Sequence, residues 1–408
     1  MKKLIIVNNN MRIGGVQKSL VNLLSEIKDQ YDVTLLLFSK TGEYLENIPP
    51  SVKVISCTSW FRLLGVAQNE CHGLSKWIRG CLALITKYFG RDTAMRLISL
   101  TQKKLQGSYD CAISFLHNPG KHSFYGGCNE FVLSKVNAKQ KITFLHCDYR
   151  QCGANYPASN RLYSRFDKIA ACSDGCKKAF LAVLPELKER TFTVANCHNF
   201  ADVTGKSKAF DVTYAPGTTH VVTVARMTPE KGIDRALYAM AEVLKSGVRV
   251  CYHVVGNGVN CDALQALVKE LQIEKAVIFH GFQGNPYPYI KNADLLLIPS
   301  YHEAAPMVID EARCLGVPVL STETTSGTNA ARRPFDVPSD EKGIRRNPSG
   351  RFSQSDMDLA SKSKRGDTTS ASAISTFLPV KGSLSIFPVS MSALSSTDLP
   401  RCSSFTLA

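Results

Sequence analysis

Short apolar runs recur along the chain, each followed by a turn rich in glycine, proline or asparagine and then by an amphipathic stretch. Leu4–Val7, Val33–Phe38, Val52–Ser56, Cys111–Leu116, Lys141–Leu145, Lys168–Cys172 and Thr191–Ala195 are runs of this kind in the first half. His220–Val224, Val250–Val255, Val277–His280 and Asp294–Ile298 repeat the pattern in the second. Continuous apolar runs without strict alternation are buried on both faces, as in parallel strands. Strand and helix alternating throughout predicts an α/β chain built on parallel sheets. The 408 residues suffice for more than one such domain. Between the two series, residues 201–216 are polar and irregular, and they read as a linker. The expected organisation is therefore a domain at 1–200, a linker at 201–216 and a second domain at 217–326, with a different kind of segment at 327–408.

In open parallel sheets, ligands sit beyond the carboxyl ends of the strands. Loops there are the candidates for chemistry. After Leu4–Val7 come Asn8–Asn10, then Gly14 and Gly15, then an amphipathic run Val16–Ile27. Paired glycines let backbone approach a ligand closely, although G-x-G-x-x-G is absent and a plain tight turn fits as well. Cys111–Leu116 ends at His117, and Lys141–Leu145 ends at His146, with Asp148 and Arg150 just beyond. After His220–Val224 the sequence Ala225-Arg226-Met227-Thr228-Pro229-Glu230-Lys231-Gly232 puts two cations in one turn before a helix at Ile233–Lys245. Such cations can neutralise a departing diphosphate. Gly256 and Gly258 form another glycine turn, ahead of a helix at Cys261–Leu271.

The last strand of the second series runs into PSYHEAAPMVIDEARCLGVP, Pro299–Pro318. Pro299 ends the strand, Pro306 suits the opening of a helix, and Gly316 suits its end. Glu303 then precedes a helix N-terminus and Glu311 lies about a turn and a half inside it. Unpaired N–H groups there favour phosphate, and carboxylates on either side can accept from hydroxyls. A ligand carrying hydroxyls, phosphate and further hydroxyls is a nucleotide sugar. The same spacing also fits a surface helix with two solvated glutamates.

Composition narrows the partners. The net charge of +15 favours anionic ones: phosphate-bearing substrates or an acidic membrane surface. No aromatic–basic signature of RNA binding accompanies it, so no nucleic acid is expected. Fourteen cysteines without a C-x-x-C pair read as free thiols in a reducing compartment rather than a zinc module. The run Leu4–Val7 is too short for a secretory leader, and no apolar run reaches membrane-spanning length. A cytoplasmic protein is expected, with any membrane contact peripheral. The segment Thr58–Leu105 mixes Trp60, Phe61, Trp77, Tyr88 and Phe89 with several basic residues; it fits either helices packed on a sheet or a membrane-surface helix.

Taken in order, VARMTPEKGID, VVGNG, FHGF and PSYHEAAPMVIDEARCLGVPVLST resemble the retaining glycosyltransferase family 4 of GT-B fold. The resemblance covers roughly the first 325 residues, weakly in the first half and strongly from His220 onward. It implies two Rossmann-like parallel-sheet domains facing across a cleft, a nucleotide-sugar donor with UDP favoured, no cofactor and no metal. It implies hexosyl transfer to a polysaccharide or lipid-linked acceptor, as in capsule or lipopolysaccharide assembly. By the same resemblance Arg226 and Lys231 bind the donor diphosphate, Glu311 the ribose hydroxyls, and Glu303 and His146 lie at the donor sugar. Gly14 and Gly15 line the cleft near phosphate and acceptor. Gly256, Gly258 and the helix opening at Ala305, Pro306, Met307 and Val308 complete the candidate donor-binding set. Two other readings use the same fold: a non-catalytic descendant that binds a nucleotide sugar or a partner protein, and a sugar-nucleotide epimerase that needs no acceptor.

After Ser326 the resemblance stops. Residues 327–408 are Ser-rich with no sustained helical period, a composition that favours disorder and, starting so abruptly, suggests a shifted reading frame. The D-x-D triplet Asp356-Met357-Asp358 falls in this segment. The second domain is expected to be incomplete and turnover reduced or lost.

Overall fold

The computed structural model describes residues 1–322, residue 324 and the strand Leu384–Phe387. It divides into two units, the first at Met1–His198 and the second beginning at Asn199. The frame-shift and disorder expectations for 327–408, and the Asp356–Asp358 triplet, lie outside the described residues apart from that one strand.

The first unit holds seven strands: β1 (Lys2–Asn8), β2 (Tyr31–Leu37), β3 (Lys53–Ser56), β4 (Tyr109–Ser114), β5 (Ala138–Leu145), β6 (Lys168–Ala171) and β7 (Thr191–Thr193). They lie in the order β3-β2-β1-β4-β5-β6-β7, every pair parallel. The order reverses direction between β1 and β4, so the loops after these two strands diverge and leave a crevice at their carboxyl ends. Leu4, Ile5, Ile6 and Val7 are fully buried, as a strand covered on both faces requires.

The second unit repeats the plan with β8 (Thr219–Val224), β9 (Val250–Val255), β10 (Val277–Gly281), β11 (Leu295–Ile298), β12 (Val319–Thr322) and β13 (Leu384–Phe387) in the order β10-β9-β8-β11-β12-β13. β8 to β12 are parallel; β13 pairs antiparallel with β12 at the edge. Side chains alternate between two cores. Val221, Tyr252, Val254, Leu295 and Leu297 pack with the helix Ile233–Lys245. Val222, Val255, Leu296 and Ile298 pack with Ile290, Ile309 and Ala312 on the other side. Both units are therefore Rossmann-like parallel-sheet domains, the pair from which the GT-B class is built.

The expected irregular linker at 201–216 is corrected at its start. Phe200–Lys206 is a helix, capped by the Asn199 side chain accepting from the Asp202 N–H at 3.0 Å. Its Val203 is buried in the second unit's core. One apolar side chain in a seven-residue helix is too little periodicity to see in sequence, and packing supplies the stability that propensity lacks.

The Thr58–Leu105 segment contains helices Gly73–Phe89 and Arg91–Leu100. On the first, Leu82 and Thr86 are buried, whereas Leu74, Trp77, Leu84, Tyr88 and Phe89 are exposed. Packing against the helix Arg91–Leu100 thus accounts for one side of this helix and leaves an apolar side outward.

Candidate functional site

Strand order explains why two distant loops meet in the second unit. β8 and β11 are neighbours, with Leu295 beside Val221 and Leu296 beside Val222, and the sheet's order switches direction between them. The loop after β8 carries Arg226 and Lys231; the loop after β11 carries Glu303. Both leave the same end of the sheet, and Lys231 Nζ lies 2.8 Å from Glu303 Oε1. Ser300 Oγ donates to the same carboxylate oxygen at 2.6 Å. The pair is mostly enclosed, with 21% and 10% of the two side chains exposed. Solvated glutamates are thereby ruled out as a description of this stretch, since Glu311 is also buried, at 5% exposure.

The backbone around this pair is tightly specified. Gly232 adopts φ 62°, and a Cβ there would sit 2.2 Å from the Pro299 carbonyl oxygen, so the β8 loop needs glycine to close against the β11 loop. The Tyr301 N–H donates to the Glu230 carbonyl at 2.9 Å, a second stitch between the loops. Arg235, from the following helix, donates to the carbonyls of Pro299 and Ser300 and, at 3.0 Å, to Thr322 Oγ1. Its guanidinium also lies over the Tyr301 ring at 4.1 Å. Arg235 thus holds the loop that carries Glu303. Its sequence signal was faint: a single arginine on the otherwise apolar face formed by Ile233, Ala236, Leu237 and Met240.

Arg226 is exposed at the end of β8. Burial pushes the neighbouring Glu230 carboxyl up, but the hydrogen bond from Thr228 and the nearby charges of Arg226 and Lys231 outweigh it and hold this carboxyl below its ordinary value. The turn is therefore a cluster of two cations and one ionised carboxylate. Gly256 and Gly258 belong to the loop after β9. A Cβ at Gly256 would lie 1.9 Å from the Ala225 carbonyl oxygen, and one at Gly258 2.3 Å from that of Met227. Met227 N–H donates to the Asn257 carbonyl at 2.9 Å, and Asn260 N–H to that of Met227 at 3.0 Å. These glycines are thus needed to seat one loop on the other.

The helix Met307–Cys314 follows Pro306, whose φ of −69° and ψ of 114° mark the entry, and Gly316 at φ 70° follows its end. Ala305, Pro306 and Val308 are half-buried and Met307 is buried at its opening. Glu311 sits one turn on, with the Tyr287 hydroxyl 3.5 Å from Oε1. Tyr287 was not anticipated from sequence, because it reaches Glu311 from a separate short helix, Tyr287–Asn292.

In the first unit, Gly14 precedes and Gly15 opens the helix Gly15–Ile27. Gly14 is extended, and a Cβ there would meet only the end of the Gln17 side chain, at 2.8 Å. The loop ahead of them is pinned by asparagines: Asn9 Nδ2 donates to the Leu64 carbonyl at 3.2 Å and Asn10 Nδ2 to that of Gly65 at 2.8 Å. His117 and His146 follow the carboxyl ends of the adjacent strands β4 and β5. His146 packs on Phe115 and Phe144, with ring centroids 5.0 and 5.6 Å away. Burial drives its imidazole down to about 3, His117 adding to the effect and a hydrogen bond with the Phe115 backbone opposing it. Burial alone lowers His117 to about 4. Both are neutral at physiological pH, and His146 Nε2 and His117 Nδ1 are buried without a hydrogen-bond partner. A buried imidazole nitrogen in that state is costly unless a ligand hydroxyl or N–H satisfies it.

The first curated relatives match over about a quarter of their length. A lipopolysaccharide 1,6-galactosyltransferase of Salmonella typhimurium is 36% identical over 86 residues, 20% of this chain and 24% of that one. A Campylobacter jejuni enzyme that adds N-acetylgalactosamine to a diphospho-undecaprenol-linked acceptor is 32% identical over 108 residues, 26% of this chain and 28% of that one. Among solved structures, Anabaena HepE in complex with UDP and glucose superposes with a TM-score of 0.54 at 18% identity, covering 81% of this chain and 83% of that one. The apo form of the lipopolysaccharide outer core galactosyltransferase WaaB gives 0.51 at 15% identity over 93% and 96%. These two likenesses bear on fold. Residues 208–333 match the family described as glycosyl transferases group 1, so the family match falls on the unit that holds Arg226, Lys231, Glu303 and Glu311.

Proposed function

We propose that the chain is a glycosyltransferase that takes a sugar from a nucleotide-sugar donor, with UDP as the carrier, and passes it to a polysaccharide or lipid-linked acceptor. The observation that carries this reading is the Lys231–Glu303 pair at the switch point of the family-matched unit. Breaking a sugar–phosphate bond builds negative charge on the departing diphosphate and positive charge on the ring. Lys231, Arg226 and the N–H groups opening the helix Met307–Cys314 serve the first. Glu303 releases Lys231 to phosphate on donor binding and accepts from sugar hydroxyls. Glu311, held near Tyr287, accepts from the ribose. Gly256 and Gly258 keep the neighbouring loop low against this site. In the first unit, the orphaned nitrogens of His146 and His117 suit hydroxyl-bearing ligands, and Gly14–Gly15 leave bare backbone at a strand's end.

The reading includes metal independence and retention of anomeric configuration, both carried from the family resemblance. It also includes slow turnover, because the sequence after 326 departs from the family pattern. Transfer is tested by incubating the chain with UDP-sugars and lipid-linked acceptors and analysing products by mass spectrometry. An acceptor one hexose heavier, formed equally with and without added Mg²⁺ or Mn²⁺, supports it. Epimerised donor formed without acceptor would replace it.

A surface on the first unit supports an acceptor presented at a membrane. Leu74, Trp77, Leu84 and Tyr88 form one outward stripe on the helix Gly73–Phe89, opposite buried Leu82 and Thr86. Trp77 is 76% exposed and Leu74 75%. Exposed Lys76 and Lys87 flank the stripe. An amphipathic face of aromatics edged by lysine suits the interface of an anionic bilayer. Among the described residues no helix is long and apolar enough to cross a membrane.

A further inference from the structure

One face of the second sheet carries a row of metal-ligating side chains that the proposed reaction does not use. His220 on β8, Cys251 and His253 on β9 and His280 on β10 all point to the side opposite Tyr252 and Val254. His220 stands beside Cys251 in the ladder, and Cys251 and His253 are two apart, hence on one face. The nearest ligand atoms of His220, Cys251 and His253 lie within 4.8 Å of one another. His220 and His253 are buried, at 6% and 2% exposure, and Tyr214 stacks over both rings at 4.5 and 4.3 Å. Cys251 is half-buried.

The hydrogen bonds fix how these rings are oriented. His220 Nε2 lies 2.9 Å from the Ala215 carbonyl oxygen, which can only accept, so the proton is on Nε2. The Nδ1 lone pair of His220 then faces His253 Nε2 at 2.9 Å. His253 Nδ1 lies 2.9 Å from His280 Nε2. Each of the two central rings thus has one nitrogen turned inward and the other held by an outer partner. Metal-ligating histidines are held in just such a way, with the second ring nitrogen bonded to a carbonyl or another polar group.

We propose that His220 Nδ1, His253 Nε2 and the Cys251 thiolate form a site for a tetrahedral, zinc-type divalent cation, with a solvent oxygen in the fourth position. Two imidazoles and one thiolate are a donor set suited to zinc. The cation takes the place of the single proton now shared by the two histidines. His253 moves its proton to Nδ1 and donates it to His280 Nε2, and His280 carries its own on Nδ1. Those are tautomer shifts and release nothing; Cys251 loses its thiol proton, so one proton leaves per cation bound. Tetrahedral geometry with metal–nitrogen bonds of about 2.0 Å needs the two nitrogens about 3.3 Å apart, a widening of about 0.4 Å that ring rotation supplies. Bound there, the ion ties β8 to β9 at the start of the strands, away from the loops of the donor site. The inference does not rest on the proposed transfer reaction.

The test uses the purified full chain, stripped of metal and titrated with Co²⁺ as a spectroscopic probe. One equivalent is expected to give thiolate-to-cobalt charge-transfer absorption together with tetrahedral ligand-field bands, and Zn²⁺ is expected to displace it. Cys251→Ser should abolish the charge-transfer band, His253→Gln should weaken binding at least tenfold, and Cys81→Ser should change neither. Zinc-edge X-ray absorption on the wild-type chain, which needs no variant to fold, should report one sulfur and two imidazole nitrogens. The proposal is overturned if the wild-type chain shows no charge-transfer band, if the band survives in Cys251→Ser, or if the zinc shell holds several sulfurs or none.

Discussion

Lys231 and Glu303 are 72 residues apart in sequence and 2.8 Å apart in the fold. The contact exists because β8 and β11 are adjacent strands whose loops leave the same end of the sheet. An enclosed ion pair of this kind is weak evidence for stability, since desolvation offsets much of the attraction. In the proposed reaction its value is a lysine held in place until the donor phosphate competes for it.

Exchanging the two members should therefore separate binding from chemistry. On the proposed reading Lys231→Ala removes a charge-assisted contact to the diphosphate, and it should weaken UDP binding by about tenfold or more. Glu303→Gln keeps a polar group beside Ser300 and frees Lys231, so UDP binding should hold or tighten. Its transfer rate should fall on the order of a hundredfold. Calorimetry with UDP and product analysis with donor and acceptor read the two effects independently.

Arg235 should behave as a positioning residue. Arg235→Met keeps much of the volume and loses the donors to the Pro299 and Ser300 carbonyls. A loss of about 2–3 kcal/mol in stability is expected. The UDP affinity of the folded variant should fall as well, because the loop bearing Glu303 loses its anchor. Urea unfolding followed by UDP titration well below the midpoint distinguishes the two.

The glycines divide into two kinds. At Gly256 an added methyl would lie 1.9 Å from the Ala225 carbonyl oxygen, so Gly256→Ala should cost roughly 1–3 kcal/mol. Gly14→Ala should cost little stability, because its backbone is extended and its one close neighbour is the end of the Gln17 side chain. If Gly14 serves a ligand, this variant keeps its melting temperature and loses transfer.

The half-buried histidines at 117 and 146 make the first unit acid-sensitive. His146 and His117 titrate near 3 and 4 in the fold, below the ordinary 6.5 they regain on unfolding. Between those values the unfolded chain binds more protons, so stability falls as pH drops through that window and is complete above it. At about pH 5.5 each histidine should cost on the order of 1 kcal/mol. Double substitution by Gln should lessen the dependence of the first unit's unfolding midpoint on pH between 7 and about 5.

Membrane attachment should follow the outward stripe of the helix Gly73–Phe89. The wild-type chain should float with vesicles containing phosphatidylglycerol and not with purely zwitterionic ones. Trp77→Ser with Tyr88→Ser should reduce flotation severalfold while leaving UDP affinity unchanged. Equal flotation of the variant would remove this surface from the account.

Much of the fold was legible because parallel strands buried on both faces leave continuous apolar runs, and glycine and proline mark their ends. The positions of Lys231 and Glu303 at strand ends followed from the same pattern. Their pairing did not, since strand order is set by tertiary packing. For the same reason the Tyr287–Glu311 contact and the row of His220, His253 and His280 appear only once register is known. Arg235 carries no sequence signal beyond its place in a helix, and nothing in the run Asn8–Asn10 tells that Asn9 and Asn10 clamp the Leu64–Gly65 backbone. The helix Phe200–Lys206 was missed because its stability comes from Val203 in the core.

The most direct test of the donor site is calorimetric titration of UDP into the 408-residue chain, wild type beside Lys231→Ala and Glu311→Ala. Saturable binding by the wild type at one site, weakened about tenfold or more in each variant, is the expected result. No heat of binding in the wild type, or the same affinity in all three, would contradict the assignment of a diphosphate and its nucleoside to this end of the second sheet.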